Sequence, residues 1–232
     1  MIRAFLAVGA MLAIAANPAS AAPADSVAIA SFRLDRTEVT IGAFRAYAAT
    51  AALRTAAERD GGGFEYSGGF QRRPGWSYLR PYGDAAGADG EPAVHVSWSE
   101  AQGYCVAAGG RLPSAAEWRQ AAYTEARGSP PAGFLPGRTY AYSSGDSEAG
   151  LWIRSVGATR HRVAGAGPPG VNGLHDMGGN VWEWLADRRG DDALTAGGSW
   201  WYDAAQTRAD GMQWKPAAFY AVYVGFRCAY GG

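Results

Sequence analysis

The sequence predicts a single α+β domain in which a few short helices and strands are joined by long ordered loops. Of the 232 residues, 33 are glycine and 12 are proline, so much of the backbone must form turns and loops. Yet 48% of the residues are hydrophobic and nine are tryptophan, which argues against disorder. About 210 residues follow an apolar N-terminal segment, a length that suits one domain better than two.

The N-terminal segment has the pattern of a secretory signal. Arg3 supplies a positive charge, and a small or apolar run over residues 4–16 precedes an Ala-Ser-Ala sequence suited to cleavage. The run is shorter than the stretch of about 20 residues that spans a bilayer. We therefore expect a signal peptide at residues 1–22, a folded domain at residues 27–232, and a periplasmic or secreted protein with no membrane segment after signal removal.

The charge balance argues against nucleic acid and anionic membranes as partners. The 21 basic and 21 acidic residues cancel, so the chain has no electrostatic footprint for nucleic acid or an anionic membrane. The presence of only one lysine, Lys215, is interpreted as a reflection of genome composition.

The two cysteines, Cys105 and Cys228, favour a disulfide in an exported chain, although a pair of redox-active thiols is the alternative.

The first part of the domain is predicted to hold one strand, one helix and one long loop. Residues 26–39 alternate loosely and are rich in β-forming residues, which indicates a strand. Thr40 then caps a helix, since Ile41 and Phe44 recur at helical spacing. Residues 55–93 are rich in Gly, Arg, Asp and aromatics without clear periodicity, which suggests a structured functional loop.

Capping boxes predict the next two helices. SWSE at residues 97–100 and SAAE at 114–117 each place a serine three residues before a glutamate. Residues 128–172 are loop-like, with Pro and Gly clusters as turn signals. Short strands are predicted after them, the clearest at residues 223–230.

Four stretches together resemble one family. LDRTEVTIGAFRAY, PAVHVSWSEAQGYCVAAGGRLPSAAEWRQAAY, NGLHDMGGNVWEWLAD, and GGSW followed by VGFRCA are similar in sequence and order to the formylglycine-generating-enzyme, or sulfatase-modifying-factor, family. The resemblance extends from about Phe32 to Ala229. It implies the C-type-lectin-like fold of that family, with little regular secondary structure, and it supports a disulfide between Cys105 and Cys228.

The resemblance does not carry the family's oxidase chemistry with it. Formylglycine-generating enzymes oxidise a sulfatase cysteine, using oxygen and a copper ion held by two cysteines that follow the GGS turn. The matching positions here are Tyr202 and Thr207, and neither side chain is a soft ligand suited to copper(I). We therefore expect neither a bound copper ion nor a catalytic residue at these positions. We also expect that the protein is not a standard formylglycine-generating oxidase.

The GGNVWEW motif suggests a structural calcium site. Family members bind calcium there through carbonyl and side-chain oxygens, which hard cations prefer. The matching residues are Gly178, Asn180, Val181 and Glu183. The alternative is that Asn180 and Glu183 only tie the loop together by hydrogen bonds to the backbone.

Other polar residues in the motifs are interpreted as parts of the scaffold. Glu38, Glu117, Arg111 and Arg227 lie in stretches that recur across relatives of different activity, which the resemblance suggests are structural. The three histidines show no metal-binding spacing and are interpreted as local hydrogen-bonding residues. They are His95, His161 and His175.

An aromatic-rich segment is the candidate ligand-binding surface. Residues 200–223 are rich in Trp, Tyr and Phe, and a WWY run cannot place all three side chains on one face of a strand. Because Tyr and Trp combine contact area with a polar group, they suit peptide or sugar recognition. The predicted cleft comprises Ser199, Trp201, Tyr202, Trp214 and Tyr220. A second wall is expected from Phe64, Tyr66, Phe70, Trp76, Tyr78 and Tyr82.

These observations predict an exported accessory module that binds a ligand or partner without copper–cysteine chemistry. The expected partner is a peptide, a glycan or an envelope protein. The alternative is an extracytoplasmic metal-dependent oxidoreductase that modifies a protein or a small molecule, in the manner of sulfatase or siderophore maturation. A structural component of an envelope assembly is a third possibility.

Overall fold

The computed structural model describes residues 25–231, so the predicted signal peptide lies outside the described residues. In that part of the chain, helices lie at Ile41–Thr50 (α1), Ala56–Arg59 (α2), Trp98–Ala107 (α3) and Ala115–Tyr123 (α4). Strands lie at Ser26–Ile29 (β1), Phe32–Asp35 (β2), Gly62–Tyr66 (β3), Phe70–Pro74 (β4), Trp182–Arg189 (β5), Asp192–Ala196 (β6), Gln213–Pro216 (β7), Val224–Gly225 (β8) and Ala229–Gly231 (β9). Over residues 25–231, no helix is long and apolar enough to cross a membrane.

The strands form three small sheets. β9 closes the antiparallel β1–β2 hairpin into a three-stranded sheet, and β3 pairs with β4 alone. The third sheet has the order β7-β6-β5-β8, in which only the β5–β8 pair is parallel. Most of the remaining backbone is loop and turn, as the α+β prediction requires.

The first half of β5, within the four-stranded sheet, is buried on both faces. Trp182 and Trp184 of β5 pack into a cluster with α1 and α3. Leu185 of the same strand and Leu194 of β6 pack instead with α4 and the β1–β2 hairpin. Since neighbouring residues of a strand point to opposite faces, this alternation places a charged residue, Glu183, among the apolar side chains of the second cluster.

Three predicted elements differ from those observed. The strand expected at residues 223–230 is interrupted, because β8 ends at Gly225 and β9 begins only at Ala229. The strand expected at residues 26–39 is a hairpin, because Ala30 takes a left-handed conformation with φ of 49° and reverses the chain. The loop expected at residues 55–93 contains α2 and the β3–β4 hairpin, whose turn uses Gly68 at φ of 67°. In contrast, the helices begin at the predicted N-cap positions Thr40, Ser97 and Ser114, and the side chains of Thr40 and Ser114 accept the capping hydrogen bond.

The predicted disulfide is present. Cys105 of α3 is bonded to Cys228, just before β9, and their Cα atoms are 5.4 Å apart. Both cysteines are fully buried in the first cluster. The bridge therefore joins the middle of the chain to its C-terminal strand, and no free thiol remains in the sequence.

Candidate functional site

An aromatic cavity lies between the β3–β4 hairpin, β7 and the loops before and after β7. Its volume is about 410 Å³. Its walls are Phe64, Phe70, Tyr202, Gln213, Trp214, Lys215, Pro216, Phe219 and Tyr223. Six of these nine residues are aromatic: three phenylalanines, two tyrosines and one tryptophan. The lining therefore suits a flat apolar group.

The rings of the cavity are packed edge to face. Phe70 lies 5.2 Å from Phe219, and Tyr202 lies 6.1 Å from Tyr223, measured between ring centroids. Phe70 is 59% exposed and Trp214 is 37% exposed, so the mouth of the cavity presents large apolar groups to solvent. Exposed apolar surface next to a concave site is typical of a binding surface.

Lys215 contributes the cavity's cationic group. The side chain is nearly buried, with the residue 9% exposed. Its Nζ lies 4.2 Å from the centroid of the Trp182 ring and donates a hydrogen bond to Gln213 Oε1 at 3.0 Å. Burial lowers the pKa of the ammonium group to about 8, because removal from water disfavours the charged form. The group thus remains mostly protonated at neutral pH.

Sequence reasoning did not identify Lys215 as a site residue. It interpreted the scarcity of lysine as genome composition, which says nothing about where the one lysine lies. No local signal was available, because alternation along a strand would place Trp214 inside and Lys215 in solvent, and β7 does the opposite. The strand β7 buries alternate residues, and Lys215 occupies a buried position.

The structure brings two of the five predicted cleft residues into this cavity, Tyr202 and Trp214. Ser199 is fully buried, and Trp201 packs on Trp200 with their ring centroids 5.4 Å apart. Tyr220 donates a hydrogen bond to Asp60 Oδ2 at 2.6 Å instead of lining the cavity. From the expected second wall, two residues line the cavity, Phe64 and Phe70.

The residues at the family's copper positions do not fit a copper ion. Tyr202 lines the aromatic cavity and packs its ring on Trp182 with centroids 5.3 Å apart. Thr207 is fully buried, and its hydroxyl donates to the carbonyl of Ala204 at 2.8 Å. Phenol and hydroxyl oxygens are poor ligands for copper(I), and both cysteines of the chain are consumed in the disulfide. We derive no reaction step through copper.

The side chains predicted to bind calcium are engaged with protein groups. Both carboxylate oxygens of Glu183 accept hydrogen bonds from Arg227, at 2.7 and 2.8 Å, and one also accepts from Trp118 Nε1 at 2.8 Å. Asn180 Oδ1 accepts from the backbone N–H of Arg162, and Asn180 Nδ2 donates to Glu38. A cation bound by Glu183 would compete with the Arg227 guanidinium for the same carboxylate oxygens. The calcium site stays a prediction.

The other motif residues hold the scaffold. Arg111 donates to both carboxylate oxygens of Glu117, at 2.6 and 2.7 Å. Burial raises the pKa of Glu38 well above its usual value. Each histidine has a nearby polar partner: His95 with the carbonyl of Pro81, His161 with Glu91 and Tyr82, and His175 with the carbonyl of Gly167. Among residues 25–231, no three His, Cys, Asp or Glu side chains are grouped as a metal site.

The model of a family described as "Sulfatase-modifying factor enzyme 1-like domain" matches residues 5–231. The chain belongs to the sulfatase-modifying factor family. This confirms the resemblance, and with it the fold.

Several relatives within the sulfatase-modifying factor family are similar over most of this chain. The formylglycine-generating enzyme of Streptomyces coelicolor is 30% identical over 198 residues, which are 71% of this chain and 60% of that protein. The Bos taurus enzyme is 29% identical, with 72% and 51% covered. The Mus musculus protein named "Inactive C-alpha-formylglycine-generating enzyme 2" is 31% identical over 220 residues, 81% of this chain and 69% of that one. The chain thus spans about half to three-fifths of the length of the active enzymes it matches.

Solved structures share the fold at low sequence identity. PvdO from Pseudomonas aeruginosa aligns with a TM-score of 0.60 at 20% identity, covering 87% of this chain and 80% of that one. Treponema denticola variable protein 1 aligns with a TM-score of 0.61 at 17% identity, covering 87% and 84%. At these identities the likeness concerns the fold alone.

Proposed function

We propose that this member of the sulfatase-modifying factor family is an exported binding module that has lost copper–thiolate chemistry. The observation that carries the proposal is the place of Tyr202. The resemblance puts a copper-binding cysteine at this position, and here the residue is one wall of an aromatic cavity. A cavity wall therefore stands at one of the two positions where the resemblance places a thiol, and a buried threonine stands at the other.

The cavity has the physical properties of a recognition site. Its volume of about 410 Å³ falls in the range of small-molecule pockets, which is about 300–1,000 Å³. Aromatic walls supply large contact area at a small cost in side-chain entropy, and the exposed Phe70 and Trp214 extend that surface to solvent. The mouse relative whose name begins with "Inactive" supports the idea that a member of this family can persist without the oxidase activity.

Binding can be tested with an uncharged aromatic dye, N-phenyl-1-naphthylamine, which fluoresces in apolar surroundings. We expect saturable binding that Phe70→Ala weakens by about fivefold or more, since aromatic residues lining a pocket dominate its affinity. Leu135→Ala is the matched control, because Leu135 is 57% exposed, as Phe70 is 59% exposed, and does not line the cavity. Equal effects of the two substitutions would show that the dye binds elsewhere and would contradict the proposal.

Loss of the oxidase activity needs a separate assay. A peptide containing Cys-x-Pro-x-Arg is incubated with the purified protein, oxygen and copper(I), and its mass is followed. We expect the cysteine to remain unmodified. Conversion to formylglycine, together with stoichiometric copper or iron in elemental analysis, would replace the binding module with the alternative, an extracytoplasmic metal-dependent oxidoreductase.

A further inference from the structure

We propose that Lys215 is the anchor for the negatively charged group of an aromatic monoanion bound in this cavity. The inference rests on the proposed function and names its class of ligand. The ligand's flat apolar body lies against the aromatic walls, and its single anionic group, a carboxylate or a sulfonate, pairs with the Lys215 ammonium.

First, the Lys215 ammonium group has no carboxylate counter-charge among the residues that the structure describes. Lysine is seldom buried without a partner, because desolvation of the ammonium is costly. Two other pairs of buried charges show the usual solution: Arg227 faces Glu183, and Asp176 faces Arg162. Among residues 25–231, no carboxylate forms an ion pair with Lys215, whose polar partner is the neutral Gln213. A cation held this way retains unused capacity for an anion.

The second argument is the position of that cation relative to the aromatic walls. The Nζ atom lies 4.2 Å from the centroid of the Trp182 ring, and the Trp182 ring is 5.3 Å from that of Tyr202, a cavity wall. Lys215 itself lines the cavity beside Trp214. Trp182 lies behind the lining, so an aromatic ligand would pack on Tyr202 and Trp214, with a substituent at its edge directed toward Lys215.

The third argument concerns the number of charges. Of the described residues that line the cavity, Lys215 is the single cationic one. One buried ammonium compensates one negative charge, and a second charge in an aromatic pocket would remain desolvated and unpaired. This favours a monoanion such as a carboxylate over a phosphate monoester, which is largely dianionic at neutral pH.

The experiment compares two dyes that differ in one group. 8-Anilinonaphthalene-1-sulfonate is an aromatic monoanion, and N-phenyl-1-naphthylamine lacks the sulfonate. Both are titrated against the wild type, Lys215→Met and Arg189→Met. Methionine keeps most of the unbranched stem of lysine without the charge. Arg189 is the matched control, because it is an exposed cation whose guanidinium lies 4.6 Å from the centroid of the Trp214 ring, outside the cavity lining.

We expect Lys215→Met to lower the affinity for the sulfonate dye by about tenfold or more. The affinity for the uncharged dye should change by less than about twofold. Arg189→Met should leave both affinities within about twofold. If Lys215→Met does not lower the affinity for the sulfonate dye, or if Arg189→Met lowers it equally, the proposed role of Lys215 is wrong. The proposed binding cavity is unaffected by that result. If neither dye binds in a manner sensitive to Phe70→Ala, the proposed function itself fails.

A second measurement applies to the wild-type protein, so that the test does not depend on the folding of a variant. Lys215 is the only lysine of the chain, so reductive methylation of lysine followed by mass spectrometry reports on one side chain. At equal occupancy, the sulfonate dye should protect Lys215 more strongly than the uncharged dye, because an ammonium paired with an anion is held protonated and is not a nucleophile. Equal protection by the two dyes would contradict the ion pair.

Discussion

Glu183 and Lys215 are both buried charged residues next to tryptophans, yet their surroundings differ. Glu183 has a bidentate partner in Arg227 and a third hydrogen bond from Trp118. Such a complete set compensates the desolvation of the carboxylate, and removal of one member would leave a buried charge unpaired. Lys215 has one neutral partner and an aromatic ring. The first residue is therefore part of the scaffold, and the second has capacity for a ligand.

The stability of Lys215→Met should depend on pH in a defined way. The pKa of Lys215 is lowered from 10.5 to about 8, so between these values the unfolded chain holds the proton and the folded protein does not. Wild-type stability therefore rises with pH through this window, by on the order of 3 kcal/mol from this group. The variant lacks this contribution. We expect it to be the more stable protein at pH 7, by an amount that shrinks as the pH rises from 8 to 10.5.

Denaturant unfolding of both proteins at several pH values measures this difference. The phenols of Tyr202 and Tyr223 also lie at the cavity, and burial raises the pKa of each. They are present in both proteins, so their titration cancels in the difference apart from any change in coupling to residue 215. Arg189→Met supplies the control, for which the difference from the wild type should be flat across this range. A flat difference for Lys215→Met would mean that its ammonium is hydrated.

At the scale of elements, local signals were the reliable ones. The capping boxes at Ser97 and Ser114 depend on residues three positions apart, and both helices begin where these boxes predict. The β3–β4 hairpin was missed because its strands face solvent on much of their surface and do not alternate between apolar and polar residues. Its stability comes from contacts that lie far away in the chain, such as Phe70 with Phe219.

Ser114→Ala should destabilise the protein by about 1 kcal/mol, the usual cost of losing a helix N-cap. The Ser114 side chain accepts from the backbone N–H of Glu117, and the Glu117 carboxylate accepts from the backbone N–H of Ser114. Chemical denaturation at pH 7 measures the loss. Ser129→Ala changes an exposed serine outside the helices and should have no measurable effect. A loss below about 0.3 kcal/mol for Ser114→Ala would show that the remaining hydrogen bond, from the backbone N–H of residue 114 to the Glu117 carboxylate, is enough to cap the helix.

At the scale of the whole molecule, motifs predicted the family, its fold and the disulfide, but not the cavity. The motifs span the domain, so they could be recognised without any knowledge of pairing. The cavity is lined by residues more than 100 positions apart in sequence, such as Phe64 and Tyr202. Alternation within the WWY run would place Trp200 and Tyr202 on one face and Trp201 on the other, and it cannot state which distant side chains meet them. Hence only Tyr202 and Trp214 of the five predicted cleft residues line the cavity.

The disulfide is the covalent tie between distant parts of this loop-rich molecule. It joins residues 123 positions apart and connects α3 to the segment before β9, which pairs with the β1–β2 hairpin. In the chain-entropy account, closing a loop of this length in the unfolded state stabilises the fold by about 5 kcal/mol. Because so much backbone lies outside helices and strands, this constraint is a large share of the stability expected for a single domain, which is about 5–15 kcal/mol.

Replacing both cysteines, Cys105→Ala with Cys228→Ala, should therefore lower the free energy of unfolding by about 5 kcal/mol. Alanine avoids placing a hydroxyl in the buried cluster that both side chains occupy. Urea unfolding measures the loss, and reduction of the wild type with dithiothreitol should reproduce most of it, because both treatments open the same loop. If reduction leaves the unfolding midpoint unchanged while the double variant is destabilised, then packing around the two sulfur atoms, and not the cross-link, holds α3 against the C-terminal strand.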